Sequence, residues 1–106
     1  MTADPESGIF MRVVGEKILE DCIKKHPHLK SALQDWLSRV KNAHWQSGDA
    51  IRNSIRQSRP VSEGKVIFGR AGAPYRIITK VNYQAGAVLI LFAGTHAEYD
   101  KYRKSH

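Results

Sequence analysis

With 106 residues, 42% of them hydrophobic and 25% charged, the chain is sized for one domain with one shared core and no separate catalytic domain. Seventeen basic residues against ten acidic ones leave a formal charge of +7, which favours a polyanionic partner such as nucleic acid. Low-complexity runs and repeats are absent, and the longest apolar stretch, residues 85–93, is broken by Gly86 and falls far short of the roughly 20 residues a membrane span needs.

Residues 1–10 carry Asp4 and Glu6 and no basic residue, so they lack the positive start and apolar middle of a secretory signal. A cytoplasmic protein without membrane contact is expected. Pro5 and Gly8 break any periodicity and Met11 can itself serve as a start, so residues 1–10 are read as a disordered leader or a cloning remnant and residues 11–106 as the domain. The single cysteine, Cys22, fits a reducing compartment and reads as a small core residue on a helix.

Arg12, Val13 and Val14 suit a brief strand. From Glu16, the apolar residues Ile18, Leu19, Cys22, Ile23 and His26 recur at helical spacing until Pro27 stops them. Leu29, Leu33, Trp36, Leu37 and Val40 repeat the pattern to about Ala43, giving a helical hairpin in which Trp36 and Trp45 are packing residues. Asp49 can cap a third helix running through Gln57, with Ile51 and Ile55 inward, Arg52, Arg56 and Arg59 along one outer side, and Pro60 as its end. Three strand-like segments follow at residues 65–70, 75–83 and 87–93, with short loops that imply antiparallel hairpins.

The middle segment is the informative one. Side chains alternate along a strand, so Tyr75, Ile77, Thr79 and Val81 share one face, and Arg76, Ile78, Lys80 and Asn82 the other. Residues 87–92 are apolar on both faces and read as a flanked, central strand. A helical hairpin covers only one side of such a sheet, so the expected class is α+β: an N-terminal helical hairpin on one face of a small, mainly antiparallel sheet. The second face is left as a shallow basic surface. Between residues 50 and 97 the basic residues Arg52, Arg56, Arg59, Lys65, Arg70, Arg76 and Lys80 meet the single acid Glu63. Finally, Thr95, His96, Ala97 and Glu98 form a capping box that starts a helix over residues 95–104, whose first amides suit a phosphate. The five histidines offer no pair at ligand spacing beside carboxylates, since only His26 and His28 are close, so neither metal nor cofactor is expected.

The run Leu91-Phe92-Ala93-Gly94-Thr95-His96-Ala97-Glu98-Tyr99-Asp100-Lys101, preceded by Tyr75-Arg76-Ile77-Ile78 and Val81-Asn82-Tyr83, resembles the HigB family of type II toxins within the RelE-like superfamily. Trp36, Lys41, Ala43 and Trp45 also fit, and the likeness runs from Met11 to about Lys101. The resemblance implies an endonuclease that cleaves mRNA, usually in the ribosomal A site, needs no metal, and is restrained by a HigA-like helix-turn-helix antitoxin. In that chemistry a substrate 2′-hydroxyl attacks the adjacent phosphate. Carried over by motif, Arg76 clamps the transition-state phosphate, His96 moves a proton and Tyr99 orients the nucleotide. Lys80, Arg70 and Lys101 would hold mRNA or ribosomal RNA, as would Arg56 and Arg59. The glycine-rich loop 69–74 departs from the family pattern, and its contacts are not carried over. Two other readings use the same charge: a basic RNA- or ribosome-binding module without catalysis, and a degenerate toxin that only binds its antitoxin.

Overall fold

The computed structural model describes residues 11–69 and 72–105; the leader assigned to residues 1–10, and Arg70, lie outside the described residues. The chain is α+β. Strand β1 (Arg12–Val14) leads into helix α1 (Glu16–Lys25), a 3-10 turn (Pro27–Leu29) and helix α2 (Lys30–Lys41). Helix α3 (Gly48–Ser54), strands β2 (Ser58–Ser62), β3 (Lys65–Phe68), β4 (Arg76–Asn82) and β5 (Ala87–Gly94), and helix α4 (His96–Ser105) complete it. The strands form one mixed sheet in the order β1-β5-β4-β3-β2, with β1 parallel to β5 and the other pairs antiparallel.

Local chemistry explains where the first helices begin and end. Gly15 caps α1 with φ 95°, and a Cβ there would stand 2.9 Å from the Ile90 carbonyl oxygen. Only glycine meets both the left-handed backbone and the close approach to β5. Leu19 and Cys22 turn inward, and Lys24 and Lys25 complement the dipole in the last turn. His26 leaves the helix at φ −132°, ψ 75°, because the residue before a proline is pushed out of the helical region.

The helices and one sheet face share a single core. Leu33, Trp36 and Val40 of α2 join Val66, Phe68, Ile77, Val81, Val88 and Ile90. Trp36 meets Phe68 edge-on with centroids 5.2 Å apart and Trp45 stacks on it at 6.0 Å, so both tryptophans pack as expected. Tyr75, Ile77, Thr79 and Val81 are buried, while Lys80 and Asn82 are exposed and Arg76 is half-buried; Ile78, expected on the same open face, is instead buried, opposite Phe92.

Two expectations are corrected. The third helix ends at Ser54 and Ile55 is extended (φ −127°, ψ 102°); its cap is Ser47, whose hydroxyl accepts from the Ala50 amide at 3.2 Å, and not Asp49. Beyond it, Ser58 donates to the Ile55 carbonyl at 2.6 Å and the chain becomes β2, a strand the sequence reading left out. Pro60 sits inside β2, which is tolerable because β2 is a sheet edge and needs no amide on its outer side. Arg56 and Arg59 are therefore not on a helix face with Arg52. Arg59 lies on β2, opposite Ile67.

In β5, Ile78 pairs with Phe92 and Thr79 with Ile90, so Leu91 is the extra residue of a bulge. The bulge reverses the alternation and brings Leu91 and Phe92 to the face away from α2, where the Phe92 ring meets Tyr99 and Tyr102 of α4 with centroids 6.4 and 4.7 Å apart. Ala93 returns to the core side.

Candidate active site

The five strands carry five cations, Arg12, Arg59, Lys65, Arg76 and Lys80, and no Asp or Glu. Register puts all five on the sheet face turned away from α2, because their strand neighbours Val13, Ser58, Val66, Ile77, Thr79 and Val81 point into the core or are buried. Lys65 and Lys80 are directly opposite each other. Like charges so placed repel, a cost that a polyanion lying across the sheet would relieve. Sequence reading counted Lys65 in the basic excess but did not select it; only the β3–β4 register reveals the pairing. Lys65→Thr is expected to stabilise the free protein by roughly 0.2–1 kcal/mol while weakening any binding of a polyanion across this face. Urea unfolding beside a titration with a model polyanion checks this, and a loss of stability would show that Lys65 has a partner worth more than the repulsion.

One end of this face gathers the residues with chemistry. Arg76 lies opposite Gly94 across the β4–β5 ladder, about 5 Å away by strand spacing, and His96 follows Gly94 by two residues as the first residue of α4. Nη1 of Arg76 donates to the carbonyls of Tyr75 at 3.0 Å and Ala73 at 3.3 Å, which holds the guanidinium near the loop preceding β4. His96 is mostly exposed, and its Nε2 stands 3.4 Å from Oδ2 of Asp100 one turn further on. Asp100 was missed at the sequence level, although the i, i+4 spacing on a helix is a readable signal. Tyr99 is half-buried, tilted against Phe92 at 6.4 Å, with the Arg103 guanidinium 5.7 Å from its ring centre.

The capping box forms as the sequence suggested. The Thr95 amide donates to Glu98 Oε1 at 3.0 Å, and the Glu98 amide to Thr95 Oγ1 at 3.2 Å. Glu98 also reaches α1: its Oε2 lies 2.6 Å from Lys25 Nζ and its Oε1 accepts from His26 Nε2 at 2.9 Å. Lys25 first, then the Thr95 amide and His26, hold the Glu98 carboxyl well below the usual range, at about 2, against the opposing effect of burial. Gly94 makes room for this arrangement, since a Cβ there would lie 2.7 Å from Glu98 Oε1. The start of α4, and with it His96, is thus tied to the end of α1.

The other expected residues scatter. Lys80 is exposed on the open face between Lys65 and Leu89. Arg56 leaves the connection after α3 and lines a hollow of about 520 Å³ with Trp36, Arg39 and Tyr75, on the helix side. Lys101 lines a groove of about 540 Å³ between α1 and α4. Neither shares the surface of Arg76 and His96. Cys22 lines the same groove, and burial, with the Glu98 charge behind it, raises its thiol pKa, which suits a packing residue better than a nucleophile. Among the described residues no group of three or more His, Cys, Asp or Glu is placed to hold a metal ion, and no helix is long and apolar enough to cross a membrane.

A comparison with curated proteins gives no match. A family model described as HigB toxin, the RelE-like toxic component of a toxin-antitoxin system, matches residues 29–102. The matched region starts after β1 and α1, later than the Met11 start read from the sequence, and holds β2 to β5 and nearly all of α4. The chain belongs to the HigB family of RelE-like toxins, the toxic components of toxin-antitoxin systems.

Proposed function

We propose that the protein is a ribosome-dependent mRNA endonuclease of the cytoplasm that works without a metal, inhibits translation, and is restrained by a HigA-like helix-turn-helix antitoxin. The observation that carries this reading is the register that sets Arg76 opposite Gly94, two residues before His96, at one end of a sheet face with five cations and no acid on its strands. A polyanion is drawn to such a face from a distance. At its end stand a bidentate donor for phosphate and an imidazole, a group able both to accept and to give a proton.

The reaction needs little else. The substrate 2′-oxygen loses its proton and forms a bond to the neighbouring phosphorus; the bond from phosphorus to the 5′-oxygen breaks, and that oxygen takes up a proton. Cyclic phosphate and 5′-hydroxyl ends result. His96 serves one of the two proton transfers, and Asp100, 3.4 Å away, orients its ring. Arg76 exchanges carbonyl contacts for the phosphorane, whose charge grows as the bond forms. Tyr99 offers a ring face for a base at the edge of the site, and Lys80, Lys65, Arg59 and Arg12 hold the strand by its phosphates.

Primer extension on a defined mRNA in a translating extract, with analysis of the new ends, tests the reading. Discrete cuts within codons, bearing cyclic phosphate and 5′-hydroxyl termini and lost when the 2′-hydroxyl at the cut is replaced by hydrogen, are the expected result. Tight ribosome binding without any cut would favour the noncatalytic binding module. Ends carrying 5′-phosphate would rule out attack by the 2′-hydroxyl.

A further inference from the structure

Val14, Leu89 and Leu91 are 45%, 41% and 39% exposed, and they are three of only four large apolar residues exposed among the described residues. They are also neighbours. Val14 of β1 lies opposite Leu89 of β5, and Leu91 is the bulged residue two positions along β5 on the same face. The rung continues from Leu89 to Lys80 and from Lys80 to Lys65. The open face therefore has two zones: the Arg76–Gly94 end, and an aliphatic patch flanked by the Lys65–Lys80 pair.

We infer that this patch is the docking surface for an acidic, amphipathic segment of the antitoxin, whose apolar side chains cover Val14, Leu89 and Leu91 while its carboxylates meet Lys80 and Lys65. The inference rests on the toxin reading for the existence of that partner. Its particular surface follows from the chemistry of the patch. Exposed aliphatic groups gain from burial against apolar side chains, whereas a nucleic acid strand is held by phosphate contacts and by stacking on aromatic rings or guanidinium planes. Branched aliphatics offer a base no flat platform. Charge complementarity selects the remainder: no strand residue of the face is acidic, so the segment supplies the carboxylates, and removal of the Lys65–Lys80 repulsion adds to its affinity. A segment lying there also covers the lysines that hold RNA, so inhibition needs no change in the catalytic residues.

The test titrates the full-length toxin with its full-length cognate antitoxin by calorimetry, comparing wild type with Leu89→Asp, Val14→Asp and a control, Gln34→Asp, on the exposed side of α2. Both patch variants are expected to weaken binding about 10- to 100-fold and the control by less than about 2-fold. Added salt should weaken wild-type binding, because the lysines contribute. Melting curves verify that the variants fold, and Leu89→Ser replaces Leu89→Asp if the charge prevents folding. Unchanged antitoxin affinity in folded variants overturns the proposal, as does a loss of ribosome affinity with antitoxin affinity kept, which would assign the patch to RNA. So does a wild-type dimer that Leu89→Asp converts to monomer. If wild type cuts no RNA yet the antitoxin affinities separate as expected, the nuclease reading fails and the docking surface stands.

Discussion

Replacing His96 by Ala should lower cleavage of mRNA on the ribosome by about 10²- to 10⁴-fold, the range of a lost general acid or base, while ribosome affinity stays within about 3-fold. Arg76→Ala should cost about 10²- to 10³-fold, the range of a lost charge-stabilising donor. Arg76→Lys should recover only part of it, because an ammonium keeps the charge but not the paired geometry. The two losses read differently against pH. With Arg76→Ala, turnover should keep the wild-type pH profile at a lower level, since an arginine stays charged throughout. With His96→Ala, the limb of the profile due to the imidazole should disappear. Asp100→Asn is the graded case: it removes the carboxylate 3.4 Å from His96 Nε2, and should lower the rate by about 10-fold or less, as for an orienting partner that touches no substrate. A single-turnover assay on preassembled ribosomes separates these effects from binding. If His96→Ala retained the wild-type rate, the exposed imidazole would be an ordinary first-turn helix residue and the proton would move through another group.

Much of this arrangement could be read from residue order. The alternation along residues 75–83 assigned Arg76 and Lys80 to a face opposite Tyr75, Ile77, Thr79 and Val81 because side-chain direction in a strand is a local property. Thr95 and Glu98 announced a helix start for the same reason, since a capping box closes within four residues. What was missed depended on partners distant in sequence. Ser58–Ser62 is a strand because Arg59 and Pro60 find Ile67 and Val66 across a turn, and its own residues, with a proline among them, carry weak strand preference. The helical reading of residues 49–57 overran for a related reason. Ile51 and Ile55 have helical spacing, but the backbone of Gln57 is engaged elsewhere, its carbonyl accepting from the Gly69 amide at 2.7 Å. The Lys65–Lys80 pairing and the Leu91 bulge are registers between strands. A composition count finds the charge but not the rung on which two lysines meet.

The second large effect concerns the tie between α1 and α4. Glu98→Ala removes the acceptor of the Thr95 amide, the Lys25 ion pair and the His26 contact together, and should cost about 2 kcal/mol, or roughly 10 °C in melting temperature for a domain of this size. Glu98→Gln retains an oxygen for the Thr95 amide and loses only the charge, so it isolates the ionic part. A carboxyl held at about 2 in the folded protein, against 4.5 ordinarily, stabilises the fold at every pH above the ordinary value, and that stabilisation drains away as pH falls from about 4.5 towards 2. The full linkage of such a shift is about 3 kcal/mol; with the Glu98 side chain 26% exposed and the Lys25 side chain mostly in solvent, screening by water leaves about 1–2 kcal/mol at neutral pH. Wild type should therefore exceed Glu98→Gln by that amount at pH 6 and approach it near pH 2.5, as read by urea unfolding at each pH. Parallel curves would show that the carboxylate contributes as a hydrogen-bond acceptor and not as a charge. Cleavage adds a second readout: freeing α4 from α1 lets His96 leave its position beyond Gly94, so Glu98→Ala should lower turnover more than ribosome affinity, at a temperature where the variant is still folded. Such a split ties the latch to the chemistry, because a helix that merely stabilised the fold would leave the folded fraction fully active.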